Sequence, residues 1–283
     1  MKDYPIDDLM LISQHFDPTP LKNARIFITG AGSWFGTWIT SYLDYANINY
    51  EKWLKPYDRF PTGAFDYVIH LAQYQTRHVL RFAGLAQCKT FLFTSSGSVN
   101  KPDPDAKSNK IEDETRVREY GLDYRIARCY SFIGPGCPTR YAAGLFIQQA
   151  LNGNPLQVYH DGTSTRTYLY IADLVAWLLT IMVKGQSAIY DVGGYEPITI
   201  LDLARRINKT TGNKGLTLMD FKNEDIRPVY GPFSKIDVTA AGDAKKVYVP
   251  CLTSNYNRAR ELGLEAWTGI DEAIKRTIRW HRE

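Results

Sequence analysis

The sequence predicts an α/β protein: a doubly wound parallel sheet with a small C-terminal lobe over its carboxyl edge. Three observations carry this expectation. Short apolar runs alternate with stretches of helical spacing through the first half of the chain. A glycine-rich turn, ITGAGSWFG, joins the first run to the first helix. From about Pro135 the alternation gives way to loop, helix and shorter strands.

Residues 1–24 read as a polar N-terminal extension with one short helix. Arg25–Thr29 is the first strand, and Trp34–Ala46 has the spacing of a helix. FDYVIHLA (Phe65–Ala72) is a buried strand, followed by helix-like YQTRHVLRFAGLA. The strand TFLFTSS (Thr90–Ser96) comes next, then a charged helix from about Ser108 to Tyr120 and the strand DYRIARCY. GPGCPTR is loop, and YAAGLFIQQALNG is a helix stopped by Gly153. LQVYH, RTYLYIADLVAWLL, the strand AIYDVGG and the helix TILDLARRINKTTG follow, with an amphipathic helix, GIDEAIKRTIRWHRE, near the end.

Composition excludes several classes. The 283 residues are 44% apolar and 23% charged, which is globular rather than disordered. The net charge of +4 is scattered, without the Lys/Arg run of a nucleic-acid tail, so no nucleic-acid partner is expected. LVAWLLTIMV is too short to span a bilayer and reads as a buried helix. MKDYPIDDLM lacks a signal-peptide core, so the expectation is a cytoplasmic protein with no membrane partner. Cys88, Cys129, Cys137 and Cys251 form no CxxC, no His cluster has ligand spacing, and no metal site is expected.

The glycine turn is the first chemical signal. Gly30, Gly32 and Gly36 lie between strand and helix, where glycine lets the backbone turn tightly and approach a pyrophosphate. The helix N-terminus then presents N–H groups and partial positive charge to that anion. Without a ligand, the same pattern is a tight turn and nothing more.

These residues, with FDYVIHLAQ, FLFTSSGSV, SNKIEDE, RCYSFIGPG and VYHDGTSTRTYLYIADLV in that order, resemble the extended short-chain dehydrogenase/reductases, the nucleotide-sugar epimerases and dehydratases. The resemblance runs over roughly residues 25–282 and implies a Rossmann-type sheet with a small C-terminal substrate-binding lobe. It implies a dinucleotide-binding part over 25–135, with late strands and the lobe over 136–283. The family's turn reads TGxxGxxG. Thr29, Gly30 and Gly36 match it, while Ser33 stands at the middle glycine with Gly32 one step early. By this match NAD or NADP is held by Thr29, Gly30, Gly32, Ser33, Trp34, Phe35, Gly36, Leu71, Ala72, Ser95 and Lys110. Ser96 takes the place of the catalytic Ser, Lys110 that of the catalytic Lys, and Glu114 and Arg128 match further positions. The family's tyrosine, four residues before the lysine, is Ala106 here.

That tyrosine moves a proton while hydride passes to the nicotinamide, with the lysine lowering its pKa. Ala106 can move no proton. Three readings follow: another group does so, with Tyr74, His78 and Tyr141 as candidates; the register differs; or the protein binds without turnover. The segment after Gly36 is also shorter than the family's. The acid that holds the adenosine ribose has no clear counterpart among Glu51, Asp58 and Asp66. Gly97 and Ser98 replace the Asp–Glu pair of the 4,6-dehydratases, so epimerase or reductase chemistry fits better. On the substrate side the resemblance points to Ser131, in place of the family's Asn, and to Arg166, whose guanidinium suits a diphosphate. Arg227 would replace a second arginine, whose place Ala241 occupies. The implied partner is a nucleoside-diphosphate sugar, and a homodimer is a further expectation.

Overall fold

The computed structural model describes residues 3–53, 59–72, 74–100, 109–219 and 254–283. Ala106, Arg227, Ala241, Asp58 and Cys251 therefore lie outside the described residues. The first elements are α1 (Ile6–His15), β1 (Ile26–Thr29), α2 (Trp34–Tyr45), β2 (Glu51–Trp53), β3 (Tyr67–His70) and α3 (Thr76–Leu85). Then come β4 (Thr90–Ser96), α4 (Asn109–Glu119), β5 (Tyr124–Cys129), β6 (Ser131–Ile133), α5 (Ala142–Leu151), β7 (Leu156–Tyr159) and β8 (Thr165–Tyr170). The last are α6 (Ile171–Lys184), β9 (Ala188–Val192), β10 (Pro197–Thr199), α7 (Ile200–Thr211), β11 (Leu216–Met219), α8 (Ser254–Glu261) and α9 (Ile270–Arg282).

The chain forms two compact units. The first holds Met1–Tyr130, Ile171–Gly193 and Cys251–Trp267. Its six-stranded sheet has the order β2-β1-β3-β4-β5-β9, with every pair parallel. A parallel sheet needs cover on both faces. The apolar helix α6 lies against β4, β5 and β9, with α1 and α2 packed on it. α3 and α4 pack together, and α4 lies against β4 and β5. The run LVAWLLTIMV is thus the buried helix its composition requires, and every residue from Ile171 to Met182 is buried. Among the described residues no helix is long and apolar enough to cross a membrane.

Two features were not legible beforehand. The first residues are an integral part of this unit. Ile12, Phe16 and Leu21 are buried, and Tyr4 stacks on Trp38 with ring centroids 4.1 Å apart. A short strand, β2, also stands beside β1, with Phe27 opposite Glu51. Phe27, Trp53, Phe60, Phe65 and Phe82 form an aromatic cluster at this end of the sheet, Phe60 stacking on Phe82 at 4.7 Å.

The second unit holds Ser131–Tyr170, Gly194–Pro250 and Thr268–Glu283. It contains a sheet of order β10-β8-β6 and the pair β11-β7. α5, α7 and α9 pack around them. α7 is capped at both ends: Thr199 accepts from the Asp202 N–H, and Gly212 closes the helix at φ +79°.

Candidate active site

The glycine turn is built by close approach. Gly30 has φ +72°, and a Cβ there would lie 2.7 Å from the Ala72 nitrogen. A Cβ on Gly36 would lie 2.2 Å from the Gly30 carbonyl oxygen. Both glycines are therefore required by the turn itself. Gly32 differs, since a Cβ there meets nothing within 4 Å, so open space faces it. Ser33, at the family's middle glycine, caps α2: its Oγ accepts from the Gly36 N–H at 3.1 Å. The chain here trades a bare backbone for a helix cap. Trp34 and Phe35 form the first turn of α2.

The turn meets the end of β3. The Leu71 N–H donates to the Thr29 carbonyl at 3.1 Å, which brings Thr29, Gly30, Leu71 and Ala72 together. Beneath them His70 is fully buried, with Nδ1 2.6 Å from Thr29 Oγ1 and Nε2 3.1 Å from Thr76 Oγ1. Burial, aided by the Lys110 charge, pushes its pKa down to about 3 and keeps the ring neutral. Glu51 and Asp66 lie at the opposite edge of the sheet. Glu51 takes the Arg25 guanidinium at 2.7 Å, and Asp66 takes the Arg25 N–H and the Lys89 ammonium. Neither is placed to meet a ribose at the carboxyl edge.

At the end of β4 the predicted residues converge. Ser96 Oγ accepts from the Ser98 hydroxyl at 2.9 Å and the Ser98 N–H at 3.2 Å. Lys110, in the first turn of α4, donates to the Thr94 carbonyl at 2.9 Å and lies 4.6 Å from the Phe93 ring centroid. Burial lowers its pKa. Cys129, opposite Ser96 across β4 and β5, has its thiol pushed up to about 12 by burial and is inert. The Ser95 hydroxyl donates to Glu114 Oε1 at 2.5 Å, so it faces a carboxylate of α4.

Glu114 also receives Arg128 in a two-point pair, Nε to Oε1 at 3.0 Å and Nη2 to Oε2 at 2.7 Å. That pair raises the Arg128 pKa further. From Arg128 a chain of hydrogen bonds continues to the buried Asp191, and the sequence did not reveal it. Arg128 Nη1 donates to Asn100 Oδ1 at 2.9 Å, Asn100 Nδ2 donates to Tyr130 Oη at 2.9 Å, and Tyr130 Oη donates to Asp191 Oδ1 at 3.0 Å. No local spacing reveals it, because Tyr130 and Asp191 are 61 residues apart.

The remaining candidates are elsewhere. Tyr74 is 69% exposed and, among the described residues, its hydroxyl has no hydrogen-bond partner. His78 is exposed on α3. Tyr141, Ser131 and Arg166 belong to the second unit. Tyr141 Oη accepts from Arg140 at 3.3 Å, Ser131 pairs with Tyr168 on β8, and Arg166 Nη1 donates to the Thr165 carbonyl at 2.7 Å. Among the described residues no group of three His, Cys, Asp or Glu side chains is gathered to hold a metal.

Comparison with known proteins agrees with this architecture. The model of the NAD dependent epimerase/dehydratase family matches residues 111–193. The UDP-glucuronate 4-epimerase of Thermodesulfobacterium geofontis is 25% identical over 166 residues, 58% of this chain and 45% of that one. UDP-glucuronic acid decarboxylase 6 of Arabidopsis thaliana is 32% identical over 94 residues, 32% of this chain and 27% of that one. The chain thus spans less than half the length of these curated relatives. Among solved structures, a UDP-glucose 4-epimerase from Thermotoga maritima with UDP-glucose superposes with a TM-score of 0.67 at 21% identity, covering 91% of this chain and 98% of that one. A dTDP-glucose 4,6-dehydratase from Bacillus anthracis in complex with NAD gives a TM-score of 0.71 at 15% identity, covering 92% and 96%. At such identities the structures speak for the fold, and the sequence matches carry the descent. Residues 111–193 carry the family's pattern, and the chain is a distant relative of the NAD-dependent epimerases and dehydratases.

Proposed function

We propose that this protein binds a nicotinamide dinucleotide, NAD or NADP, together with a nucleoside-diphosphate sugar, and reversibly oxidises a sugar hydroxyl, as an epimerase does. One observation carries the reading. The glycine turn after β1, Leu71–Ala72 after β3, Ser95–Ser96 at the end of β4 and Lys110 all belong to the carboxyl edge of one parallel sheet, where open α/β sheets bind ligands.

The residues fit the dinucleotide at two points. Gly30 and Gly36 hold the turn tight, and the open space before Gly32 suits a pyrophosphate. Lys110 and Ser96 belong to the nicotinamide end. When bound, the dinucleotide supplies the hydride acceptor. Ser96 Oγ orients the reacting sugar oxygen, and the buried Lys110 charge favours an anionic oxygen nearby. Ser131 and Arg166 are assigned to the nucleoside diphosphate, with Arg166 as the diphosphate clamp, and Arg227 joins them on sequence alone. The second reading, a protein that binds these ligands without turnover, rests on Ala106.

The test is incubation of the purified protein with NAD or NADP and a panel of UDP-, dTDP-, GDP- and CDP-sugars, with products followed by proton NMR. Conversion of one sugar to its epimer supports the reading. Binding of a sugar nucleotide by calorimetry with no conversion of any would leave the second reading in its place.

A further inference from the structure

The second unit has a cleft that the proposed function does not use. Its volume is about 620 Å³, and its walls are the C-terminal ends of α5, α7 and α9. Asn152 and Gly153 line it after α5, Asn213 and Lys214 in the loop after α7, and His281 and Arg282 in the last turn of α9. Ser131 and Arg166 are not among the lining residues.

Hydrogen bonds fix these walls to one another. Asn213 Nδ2 donates to the Asn154 carbonyl at 2.8 Å, which fastens the loop after α7 to the loop after α5. Asn208 Nδ2 donates to the Gly215 carbonyl at 2.9 Å and ties the same loop back to α7. A Cβ on Gly215 would lie 2.7 Å from Pro155 Cα, so the two loops pack backbone to backbone. α9 joins them through Arg282, whose Nη2 donates to the Thr211 carbonyl at 3.4 Å. The space is thus bounded by fastened elements rather than by loose loops.

The charge of these walls selects the ligand. In the segments 150–154, 209–215 and 279–283 the cations are Lys209, Lys214, Arg279 and Arg282, and the acidic side chain is Glu283. Each helix C-terminus brings about half a negative charge, which leaves the walls net positive. Complementing the helix dipoles accounts for Lys209 and Arg282, in the last turns of α7 and α9. It does not account for Lys214, which lies beyond α7 and, among the described residues, has neither a hydrogen bond nor an ion pair. Arg282 spends one of its five N–H groups on Thr211. The Asn152 side-chain amide has no hydrogen-bond partner among the described residues. A lysine point charge, a guanidinium fork and an amide donor are groups that bind phosphate oxygens.

We infer that this cleft is a binding site for a phosphorylated small molecule, held by Lys214, Arg282 and the Asn152 amide, with His281 on its wall. The inference does not rest on the oxidoreductase reading, because no residue of the sheet edge lines the cleft. Lys214 and Arg282 are exposed, so salt screens their attraction and binding weakens as ionic strength rises.

The test is proton–carbon NMR of the whole chain labelled at histidine, titrated with inorganic pyrophosphate at constant ionic strength. The His281 line is assigned by its absence from His281→Asn, and it is expected to move saturably. Lys214→Gln combined with Arg282→Gln should raise the half-saturation point roughly tenfold or more. Lys214→Glu changes an exposed side chain that has no partner among the described residues, so it should keep the wild-type melting temperature and lose the saturable shift. A His281 line that pyrophosphate leaves in place, that sodium chloride moves equally, or that still saturates alike in folded Lys214→Glu overturns the inference and leaves the proposed function standing.

Discussion

His70 shows how a single residue ties this site to the stability of the fold. Its ring is buried neutral, with a pKa of about 3 against an ordinary 6.5. The unfolded chain therefore binds one more proton than the folded chain between those values. This contribution to stability is fully present above pH 6.5 and is lost as pH falls towards 3, at about 1.4 kcal/mol per pH unit. Urea titrations of wild type and His70→Asn should differ in acid slope by up to one proton over this window, and equal slopes would contradict the assignment. Glu114 is the second such residue. It is buried with Arg128 and Ser95 on it. Glu114→Ala leaves the half-buried Arg128 charge without its carboxylate and should cost about 3 kcal/mol in urea unfolding. Ser96, Lys110, Glu114 and Arg128 could be singled out beforehand because their spacing along the chain resembles a known pattern. Tyr130 and Asp191 were not, because their pairing exists only once β5 and β9 lie side by side.

In the proposed function the turn between β1 and α2 is the element that carries ligand recognition. Two of its glycines make separable predictions. Gly36→Ala places a Cβ 2.2 Å from a carbonyl oxygen and should abolish soluble folded protein. Gly32→Ala meets nothing within 4 Å and should leave the melting temperature unchanged. If a pyrophosphate occupies the space before Gly32, the same variant should weaken dinucleotide binding several-fold by fluorescence titration. Equal binding by Gly32→Ala would show that the phosphates lie elsewhere. Ser33→Gly tests the cap: the loss is a few tenths of a kcal/mol, because glycine is itself a fair N-cap. The strands β1, β3, β4 and β5 were legible as apolar runs bounded by turns. The three-residue strands β2, β6 and β10 were not. EKW, SFI and PIT are too short to show a period of two, and partners distant in sequence make them strands.

At the scale of the whole molecule the first unit brings the glycine turn, Ser96 and Lys110 to one edge of a parallel sheet. Its order β2-β1-β3-β4-β5-β9 places β1, β3, β4 and β5 as consecutive neighbours. Residues far apart in sequence, from Thr29 to Asp191, therefore belong to one structural frame. The sequence foretold this frame because alternation of strand and helix leaves few topologies. It did not foretell the place of α1, whose buried Leu9 and Ile12 pack it into the first unit. It gave no view of β2, beside which Glu51 and Asp66 pair with Arg25 at the opposite edge. We propose that this edge binds a nicotinamide dinucleotide, although neither of those acids is placed for its adenosine ribose. The measurement that tests it most directly is fluorescence titration of the purified protein with NADH and with NADPH, each with and without UDP-glucose. Saturable micromolar binding of one dinucleotide, tightened by a sugar nucleotide, is the expected result. No binding of either, in protein shown to be folded, would contradict it.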